Sequence, residues 1–488
     1  MHSRKPQEVY VSETLSSYVA DRWADGTDSY ELRSPSTGER LAEVIRGSFQ
    51  DVDGAVSAAR EAFEHTRWLT LRERVDLCHR CADLVEERAE TLALALSEEH
   101  GKPLAESLAE IKVGAYGFRL AAEEARRLGG YNPLTDDPNK RVIVMRQPRG
   151  VWAIVTPWNF PFNIPIEYLG PALATGTPFV WKPAPTTPRI AVRLSELMLE
   201  AGAPEGMVNL ILTDSVEPAQ HLVSHPGVDA VGLTGGSRTG AAVAKAAWDK
   251  HLLLELGGNG PIIVLDDADL EKALPAIIDA SFANAGQVCS SAGTVMVKER
   301  LADELVAGLR ARADDLVLGS PLSEGVTLGP VHTETVASTV DQHVADLIER
   351  GGEIVTGGGR ANGFPTQLFY QPTVADSVSP ESLAVREETF GPLAPVIRLP
   401  DDEAILQAAN AGRHGLVAAI FTSSLARAFW FAERLEAGSV VVNDTSNYWE
   451  LHLPFGGRSG RESGRGRLGG RHTLEEFTQL KTVSLDVR

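Results

Sequence analysis

Short apolar segments alternate with helical stretches from residue 151 onward, and this alternation constrains the fold more than any other feature. The predicted strands begin at Val151, Phe179, Val208 and Ala230, and the intervening helices begin near Pro188, Val216 and Ser237. Strands that alternate with helices form a parallel sheet covered by helices on both faces. We therefore predict an α/β fold.

Further segments flank this region. Residues 51–127 carry apolar residues at three- and four-residue spacing, which predicts helices. A second α/β set begins at Pro261, with a helix start at Asp267 and a kink or late beginning at Pro275. The run from Arg141 predicts an exposed strand. The C-terminal run from Glu475 predicts another strand with no evident partner in its own domain, and an exposed strand is a natural dimer contact.

Composition excludes several classes of partner. With 488 residues, the chain is long enough for two or three domains. Its 46 basic and 66 acidic residues give a net charge of −20, which disfavours nucleic acid and anionic membranes. We see no apolar run long enough to span a bilayer and no signal peptide at the N-terminus. Three cysteines cannot form a disulfide framework, so we expect a reducing cytoplasm.

Cys78 and Cys81 form a CxxC pair within a predicted helix. Such a pair is typical of zinc or redox sites, but structural zinc takes four ligands and the chain has no second pair. We predict that both side chains pack on one helix face and that the protein holds no metal.

Cys289 follows a helical stretch within Phe282-Ala-Asn-Ala-Gly-Gln-Val-Cys-Ser-Ser. Its small neighbours would leave the sulfur reachable, and nearby backbone N–H groups would favour the thiolate. A nucleophile and a buried, inert cysteine are both compatible with this segment alone.

Seven motifs, read in order, place this cysteine in a wider pattern. They are Thr156-Pro-Trp-Asn-Phe-Pro, Trp181-Lys-Pro-Ala, Leu233-Thr-Gly-Gly-Ser-Arg-Thr-Gly, Leu254-Glu-Leu-Gly-Gly-Asn, Gly286-Gln-Val-Cys, Glu387-Glu-Thr-Phe-Gly-Pro and Pro454-Phe-Gly-Gly. From about residue 15 to the C-terminus, the chain resembles the NAD(P)-dependent aldehyde dehydrogenase superfamily in the order and spacing of these motifs. The resemblance implies oxidation of an aldehyde to a carboxylic acid.

The resemblance also implies catalytic roles for three residues. Cys289 would attack the carbonyl carbon, and the Asn159 amide with the Cys289 backbone N–H would stabilise the oxyanion. Glu255 would activate the water that hydrolyses the resulting thioester. Without the resemblance, Asn159 could cap a helix and Glu255 could be a solvated charge.

By the same resemblance the cofactor is NAD or NADP. Trp158, Leu256 and the turn formed by Gly235, Gly236, Ser237 and Gly240 would line its site, Lys182 would reach the adenosine ribose, and Glu388 and Phe390 would hold the nicotinamide. Pro185 occupies the place where NAD-preferring members commonly carry a glutamate, and Thr213–Glu217 replaces a frequent glycine turn. The sequence therefore leaves the choice between NAD and NADP open.

The substrate pocket is expected to contain Phe160, Val288, Tyr448, Trp449 and Phe455. Its aromatic side chains would line a tunnel suited to an aromatic or apolar aldehyde, which is the substrate we predict. Val288 stands where members acting on phosphorylated or phosphonate aldehydes often carry arginine, and this disfavours such substrates without excluding an anion site elsewhere. The alternatives are a small anionic phosphono or hydroxy aldehyde, for which the basic loop Arg458–Arg467 would be relevant, and packing of Tyr448 and Trp449 in a core or interface.

The resemblance further implies a domain layout and an assembly. A Rossmann-like NAD(P)-binding domain would comprise residues 1–123 and 149–256, and an α/β catalytic domain residues 257–456. A small β oligomerisation arm of residues 124–148 and 457–488 would build a homodimer or homotetramer. Two competing functions are a CoA-acylating dehydrogenase, which usually lacks the glutamate, and a non-catalytic homologue.

Overall fold

The computed structural model describes residues 13–488. The N-terminal segment in which we expect no signal peptide lies outside these residues. Residues 13–488 fold into two large sheets, a three-stranded sheet and a two-stranded arm. Helices pack on the sheets, as the alternating pattern predicts, and the α/β fold is confirmed.

Twenty strands occur in the described residues. They are β1 (Glu13–Leu15), β2 (Tyr18–Val19), β3 (Arg22–Trp23), β4 (Ser29–Arg33), β5 (Arg40–Ile45), β6 (Lys140–Pro148), β7 (Trp152–Val155), β8 (Phe179–Lys182), β9 (Val208–Leu210), β10 (Ala230–Gly235), β11 (His251–Leu256), β12 (Pro261–Val264), β13 (Thr294–Lys298), β14 (Glu353–Thr356), β15 (Thr373–Asp376), β16 (Leu393–Leu399), β17 (Val417–Phe421), β18 (Ser439–Val442), β19 (Gly464–Arg465) and β20 (Thr478–Asp486).

Fifteen α-helices occur in the same residues. They are α1 (Phe49–Thr66), α2 (Leu71–Glu87), α3 (Ala89–His100), α4 (Leu104–Ala125), α5 (Asn163–Thr175), α6 (Pro188–Glu200), α7 (Val216–Ser224), α8 (Ser237–Ala246), α9 (Leu270–Phe282), α10 (Ala302–Asp314), α11 (Glu334–Glu349), α12 (Leu383–Arg386), α13 (Asp402–Ala411), α14 (Leu425–Arg434) and α15 (Gly470–Phe477). Within 13–488, no helix is long and apolar enough to cross a membrane.

The first large sheet has the strand order β19-β11-β10-β7-β8-β9-β2-β3. Strands β11, β10, β7, β8 and β9 are parallel, and helices connect most of them. Their side chains are buried almost throughout, which explains why they read as continuous apolar runs. The carboxyl ends of β10 and β11 form the edge at which the candidate site lies.

The second large sheet has the order β14-β15-β16-β13-β12-β17-β18. The predicted start at Pro261 is the first residue of its strand β12. The helix that follows begins at Leu270 and is capped by Asp269, so the late beginning predicted at Pro275 is wrong. A proline at that position still leaves one backbone carbonyl without its helical N–H donor.

The arm consists of β6 and β20, which pair antiparallel from Lys140 with Asp486 to Pro148 with Thr478. The C-terminal strand therefore has a partner within its own chain. It begins at Thr478 rather than Glu475, because α15 continues to Phe477. The Phe477 ring stacks on Trp152 of β7, with ring centroids 3.8 Å apart and 8° between the planes. This contact fixes the base of the arm to the first large sheet.

Cys78 and Cys81 both lie on the buried face of α2. Burial raises the pKa of the Cys78 thiol to about 12. The two cysteines are packing residues of the helical layer that covers the first large sheet.

Candidate active site

The chain approaches Cys289 through a strained turn. After α9 ends, Ala283–Gly286 forms a short 3₁₀ turn in which Asn284 has φ +50° and Ala285 φ +54°. Gly286 also has positive φ, and a Cβ there would lie 2.2 Å from a backbone oxygen of the neighbouring loop. Such conformations persist only where the surroundings enforce them, and here they turn the chain so that Cys289 borders two cavities.

The Cys289 side chain is half-buried in a field of negative charge. Burial raises the pKa of its thiol well above the ordinary value, and the charges of Glu255, Glu388 and Glu167 act in the same direction. No cation contributes to this shift. The thiolate therefore depends on backbone N–H groups or on a bound ligand for its stabilisation.

Asn159 lies on the loop before α5, beside the cysteine turn. Its Nδ2 donates to the backbone oxygen of Gln287 at 3.1 Å. An amide nitrogen carries two hydrogens, so this bond fixes the side chain and leaves the second hydrogen for an oxyanion at Cys289. Asn159 is buried, and both it and Cys289 line the cavity at the carboxyl end of β10.

A buried network holds the Asn159 backbone. Lys102 Nζ donates to the Asn159 carbonyl oxygen at 2.8 Å and to Glu110 at 2.6 Å, and its side chain has no exposed surface. Asn284 Nδ2 donates to the same carbonyl at 3.0 Å and to the Gln287 oxygen at 3.3 Å. The side chain of Asn284 therefore ties the Asn159 loop to the cysteine turn. Sequence reasoning missed this network, since Lys102 is far from Asn159 in the chain.

Glu255 is the penultimate residue of β11 and its carboxyl is buried. Burial raises its pKa to about 8, the charge of Glu388 adds to the rise, and a hydrogen bond from the Cys289 thiol opposes it. Its Oε1 has no hydrogen-bond partner among residues 13–488. A buried carboxyl with a free oxygen and a pKa near neutrality has the properties of a general base.

A cavity of about 200 Å³ opens on one side of Cys289, at the carboxyl ends of β10 and β11. Dinucleotides bind at this edge of parallel sheets. Of the predicted cofactor residues, it brings together Trp158, Gly235, Gly236, Leu256, Glu388 and Phe390.

Local packing prepares this cavity for a flat ring. Phe390 has φ +52° and meets the Trp158 ring edge-on at 5.5 Å between centroids. Glu388 Oε1 accepts the Gly258 N–H at 3.0 Å, and a Cβ at Gly257 would lie 2.4 Å from the other carboxylate oxygen. The residues present thus fit a nicotinamide dinucleotide, with hydrogen-bonding and aromatic groups around a space next to the thiol.

The remaining predicted cofactor residues lie apart from this cavity. Ser237 and Gly240, at the start of α8, line a second cavity of about 670 Å³. Lys182 ends β8, and burial lowers its pKa to about 8. Asp214, whose charge acts on Lys182, forms an ion pair with Arg46 at 2.7 Å.

A cavity of about 610 Å³ opens on the other side of Cys289. Of the two cavities that Cys289 borders, we call this one the larger cavity and the one of about 200 Å³ the smaller cavity. The predicted substrate residues Phe160, Val288, Trp449 and Phe455 line it. Tyr448 does not: its side chain is exposed and its hydroxyl donates to Glu450. The side chain of its neighbour Trp449 faces the cavity, whereas that of Tyr448 lies on the surface.

Several polar residues of this cavity were missed by sequence reasoning, among them Thr234 and Glu167. Thr234 of β10 is hydrogen-bonded to the Tyr168 hydroxyl at 2.8 Å. Glu167 lies on α5, and its carboxyl accepts from Asn163 Nδ2 at 3.0 Å. The sequence does carry a signal for Glu167, because Asn163 and Glu167 are four residues apart on α5 and therefore share one helix face. Both residues line the cavity together with Cys289 and Glu255.

Comparison with known proteins shows the family to which the chain belongs. The sequence profile described as Aldehyde dehydrogenase family matches residues 23–483. Glutarate-semialdehyde dehydrogenase of Pseudomonas aeruginosa is 37% identical over 475 residues, which cover 96% of this chain and 97% of the relative.

Two solved structures agree with the whole fold. Succinate-semialdehyde dehydrogenase from Burkholderia pseudomallei has a TM-score of 0.94 at 36% identity and covers 97% of this chain and 98% of its own. Betaine aldehyde dehydrogenase from Staphylococcus aureus, solved with NAD⁺, has a TM-score of 0.93 at 31% identity and covers 97% of both chains. The resemblance predicted from the seven motifs is confirmed: this chain belongs to the aldehyde dehydrogenase family, and it is an enzyme that oxidises an aldehyde to its acid with NAD or NADP.

Proposed function

We propose that Cys289 is the nucleophile of this oxidation. Its thiolate adds to the carbonyl carbon, and the carbonyl electron pair moves to oxygen. The Asn159 amide and the Cys289 backbone N–H stabilise that oxyanion. The position of the sulfur between two cavities, with Asn159 on the same wall, is the single observation that carries this proposal.

The cofactor is proposed to occupy the smaller cavity. When bound, the nicotinamide supplies the acceptor for the hydride that leaves the tetrahedral carbon. Trp158, Glu388 and Phe390 would orient the ring, and Gly235 and Gly236 would admit the phosphates near the N-terminus of α8. The same proposal includes the roles predicted for Ser237 and Gly240 at this turn. It also includes those predicted for Lys182 and Leu256 around the adenosine and nicotinamide.

Glu255 is proposed as the base for hydrolysis of the Cys289 thioester. Its carboxylate takes a proton from water, the hydroxide adds to the acyl carbon, and the thiolate leaves. The buried carboxyl beside the thiol supports release of a free acid rather than transfer to CoA. Product analysis with CoA present tests this choice, and acyl-CoA as the main product would contradict it.

The substrate cavity supports an aldehyde whose carbon chain is apolar or aromatic. Its walls are formed largely by aromatic and aliphatic side chains, including Phe160, Trp449, Leu451 and Phe455. No lysine, arginine or histidine is among the described residues that line it. A small anionic aldehyde is the second candidate, since relatives are named for glutarate and succinate semialdehydes.

An aldehyde panel separates these two candidates. Benzaldehyde, butanal and succinate semialdehyde are compared by the absorbance of reduced cofactor, with NAD and with NADP. We expect higher kcat/KM for the two uncharged aldehydes, because an anion would enter a cavity that offers it no cation. Preference for succinate semialdehyde would support the second candidate instead.

The assembly is proposed to be a homodimer or homotetramer built through the arm of residues 124–148 and 457–488. Apolar side chains stay exposed on this two-stranded sheet, among them Ile143, Leu480 and Leu485. The two other units are proposed as an NAD(P)-binding domain of residues 1–123 with 149–256 and a catalytic domain of residues 257–456. A cytoplasmic location is proposed from the three free cysteines and the absence of a disulfide in the described chain.

A further inference from the structure

Glu167 is a half-buried carboxyl that lines the larger cavity, and the proposed chemistry assigns it no task. It lies one helical turn after Asn163, and the Asn163 amide donates to its Oε1 at 3.0 Å. Burial raises its pKa well above the ordinary value, the charge of Glu255 adds to this effect, and the Asn163 bond opposes it. None of these groups is a cation. Glu167 is therefore an acceptor without a charged partner, located beside the nucleophile.

The other ionisable groups of the cavity have the same sign. Glu255 lies near the thiol, and Asp279 and Glu450 lie towards the exposed end. Asp279 and Glu450 already accept hydrogen bonds from Thr445 and Tyr448 respectively. Lys102 does approach the Phe160 ring at 4.2 Å, but it is buried outside the cavity lining and neutralised by Glu110.

Aromatic side chains complete the surroundings of Glu167. Tyr116, Phe160, Trp449 and Phe455 all line the cavity. Aromatic faces and carboxylates together attract cations and disfavour anions. The cavity thus combines a long apolar surface with the half-buried carboxyl of Glu167, a set that matches an alkyl chain ending in an ammonium group.

We infer that Glu167 binds a protonated amine of the substrate, so that this enzyme prefers amino aldehydes. The inference rests on the proposed function and names a substrate class for the same site. An ammonium group at Glu167 would also favour the ionised forms of Cys289 and Glu255, because it offsets the negative charges that act on both. A substrate carboxylate in that position would instead add a negative charge beside Glu167, Glu255 and Cys289.

The test uses three aldehydes of similar length that differ in terminal charge. They are 3-aminopropanal, butanal and succinate semialdehyde. The full-length wild type is compared with Glu167→Gln, which keeps the shape and removes the charge, and with Glu167→Arg, which reverses it. Glu64→Gln, at an exposed position of α1, is the control substitution. The measured quantity is the ratio of kcat/KM between two aldehydes.

We expect the wild type to favour 3-aminopropanal over butanal at least tenfold and over succinate semialdehyde by more. Glu167→Gln should lower the first ratio at least tenfold, Glu64→Gln should preserve it, and Glu167→Arg should shift preference towards succinate semialdehyde. If a Glu167 variant fails to fold, inhibition of the wild type gives the answer. Propylamine should compete with butanal, and propionate should not.

Two results would overturn the inference. One is a wild-type ratio near one or in favour of succinate semialdehyde, and the other is an unchanged ratio in Glu167→Gln. If butanal still yields a Cys289-dependent burst of reduced cofactor, the proposed function survives and only the amine preference is wrong. If no aldehyde yields reduced cofactor, the proposed function itself fails and the inference falls with it.

Discussion

The ammonium nitrogen of Lys102 lies 2.8 Å from the backbone carbonyl oxygen of Asn159, and no part of the lysine side chain reaches solvent. The lysine thus positions the residue proposed to bind the oxyanion, although it is buried away from both cavities. Glu110 completes the arrangement, because its second oxygen accepts the backbone N–H groups of Phe162 and Asn163 at the start of α5.

Lys102→Met should slow thioester formation by about 10- to 100-fold, since misplacing one oxyanion donor weakens transition-state stabilisation. It should also destabilise the fold by about 3–5 kcal/mol, because Glu110 would be left buried without its partner. The double variant Lys102→Met/Glu110→Gln should recover much of the melting temperature but not the rate. Recovery of both, measured by thermal melts and burst kinetics, would reduce Lys102 to a structural role.

Replacing Glu255 by glutamine should separate the two halves of the reaction. The burst of reduced cofactor should persist, whereas steady-state turnover should fall by about 10²- to 10⁴-fold through loss of the general base. Rapid mixing and steady-state assays on the same preparation measure both quantities. Loss of the burst together with turnover would show that Glu255 is needed before hydrolysis.

The pH dependence of turnover should follow the Glu255 carboxyl. Its pKa of about 8 leaves only about a tenth of the molecules with an ionised base at pH 7. The active form is the carboxylate, so hydrolysis should become faster as pH rises and level off about one unit above this pKa, near pH 9. A pH profile of kcat for an aldehyde whose hydrolysis limits turnover checks this, and a flat profile between pH 6 and 9 would contradict the assignment.

Cys289 should be alkylated before the other cysteines. Its sulfur borders two cavities, whereas Cys78 and Cys81 are fully buried; burial raises the pKa of all three thiols, so access to the sulfur decides the order. Iodoacetamide followed by peptide mass spectrometry should find one labelled site and parallel loss of activity. Cys289→Ala should abolish the burst, and Cys81→Ala, on the far α2, should preserve it.

Pro185→Glu should shift cofactor preference towards NAD. A carboxylate at this position, close in sequence to Lys182, would repel a 2′-phosphate and bond the ribose hydroxyls. We expect KM for NADP to rise at least tenfold relative to KM for NAD. Pro185→Gln is the uncharged control, and an equal shift in that variant would assign the effect to shape.

Charge on the exposed face of the arm should disrupt the assembly. Leu480→Glu places a carboxylate on β20 among apolar side chains that would be buried between subunits. Light scattering after size exclusion should show monomers for this variant and dimers or tetramers for the wild type. Lys481→Glu is the matched control for added negative charge.

The main elements of the fold follow from local chemistry. Pro188, Val216 and Ser237 begin helices at the predicted residues, because each stands where a buried apolar run gives way to helical spacing. The family resemblance predicts an arm, but not the register in which β20 pairs with β6. The two strands lie more than 300 residues apart, and no local pattern carries such a register.

The residues of the site also differ in whether a local sequence pattern predicts them. Cys289, Asn159 and Glu255 belong to short motifs, and the structure places them around one pair of cavities. Tyr448 is exposed whereas the adjacent Trp449 lines the larger cavity, and the sequence motif does not say which of two neighbouring side chains faces inward. Lys102 carried no signal in the sequence, since its role exists only after α4 has packed against α5.

The stacking of Phe477 on Trp152 also bears on how the chain is synthesised. The first large sheet needs β19 at its edge and Phe477 over β7, yet both are translated after the whole second sheet. Until β19 and Phe477 have been synthesised, the nascent chain therefore keeps an unfinished apolar surface at Trp152. The first large sheet is thus completed only after the second has been translated, and chains that stop short of Phe477 are predisposed to aggregate.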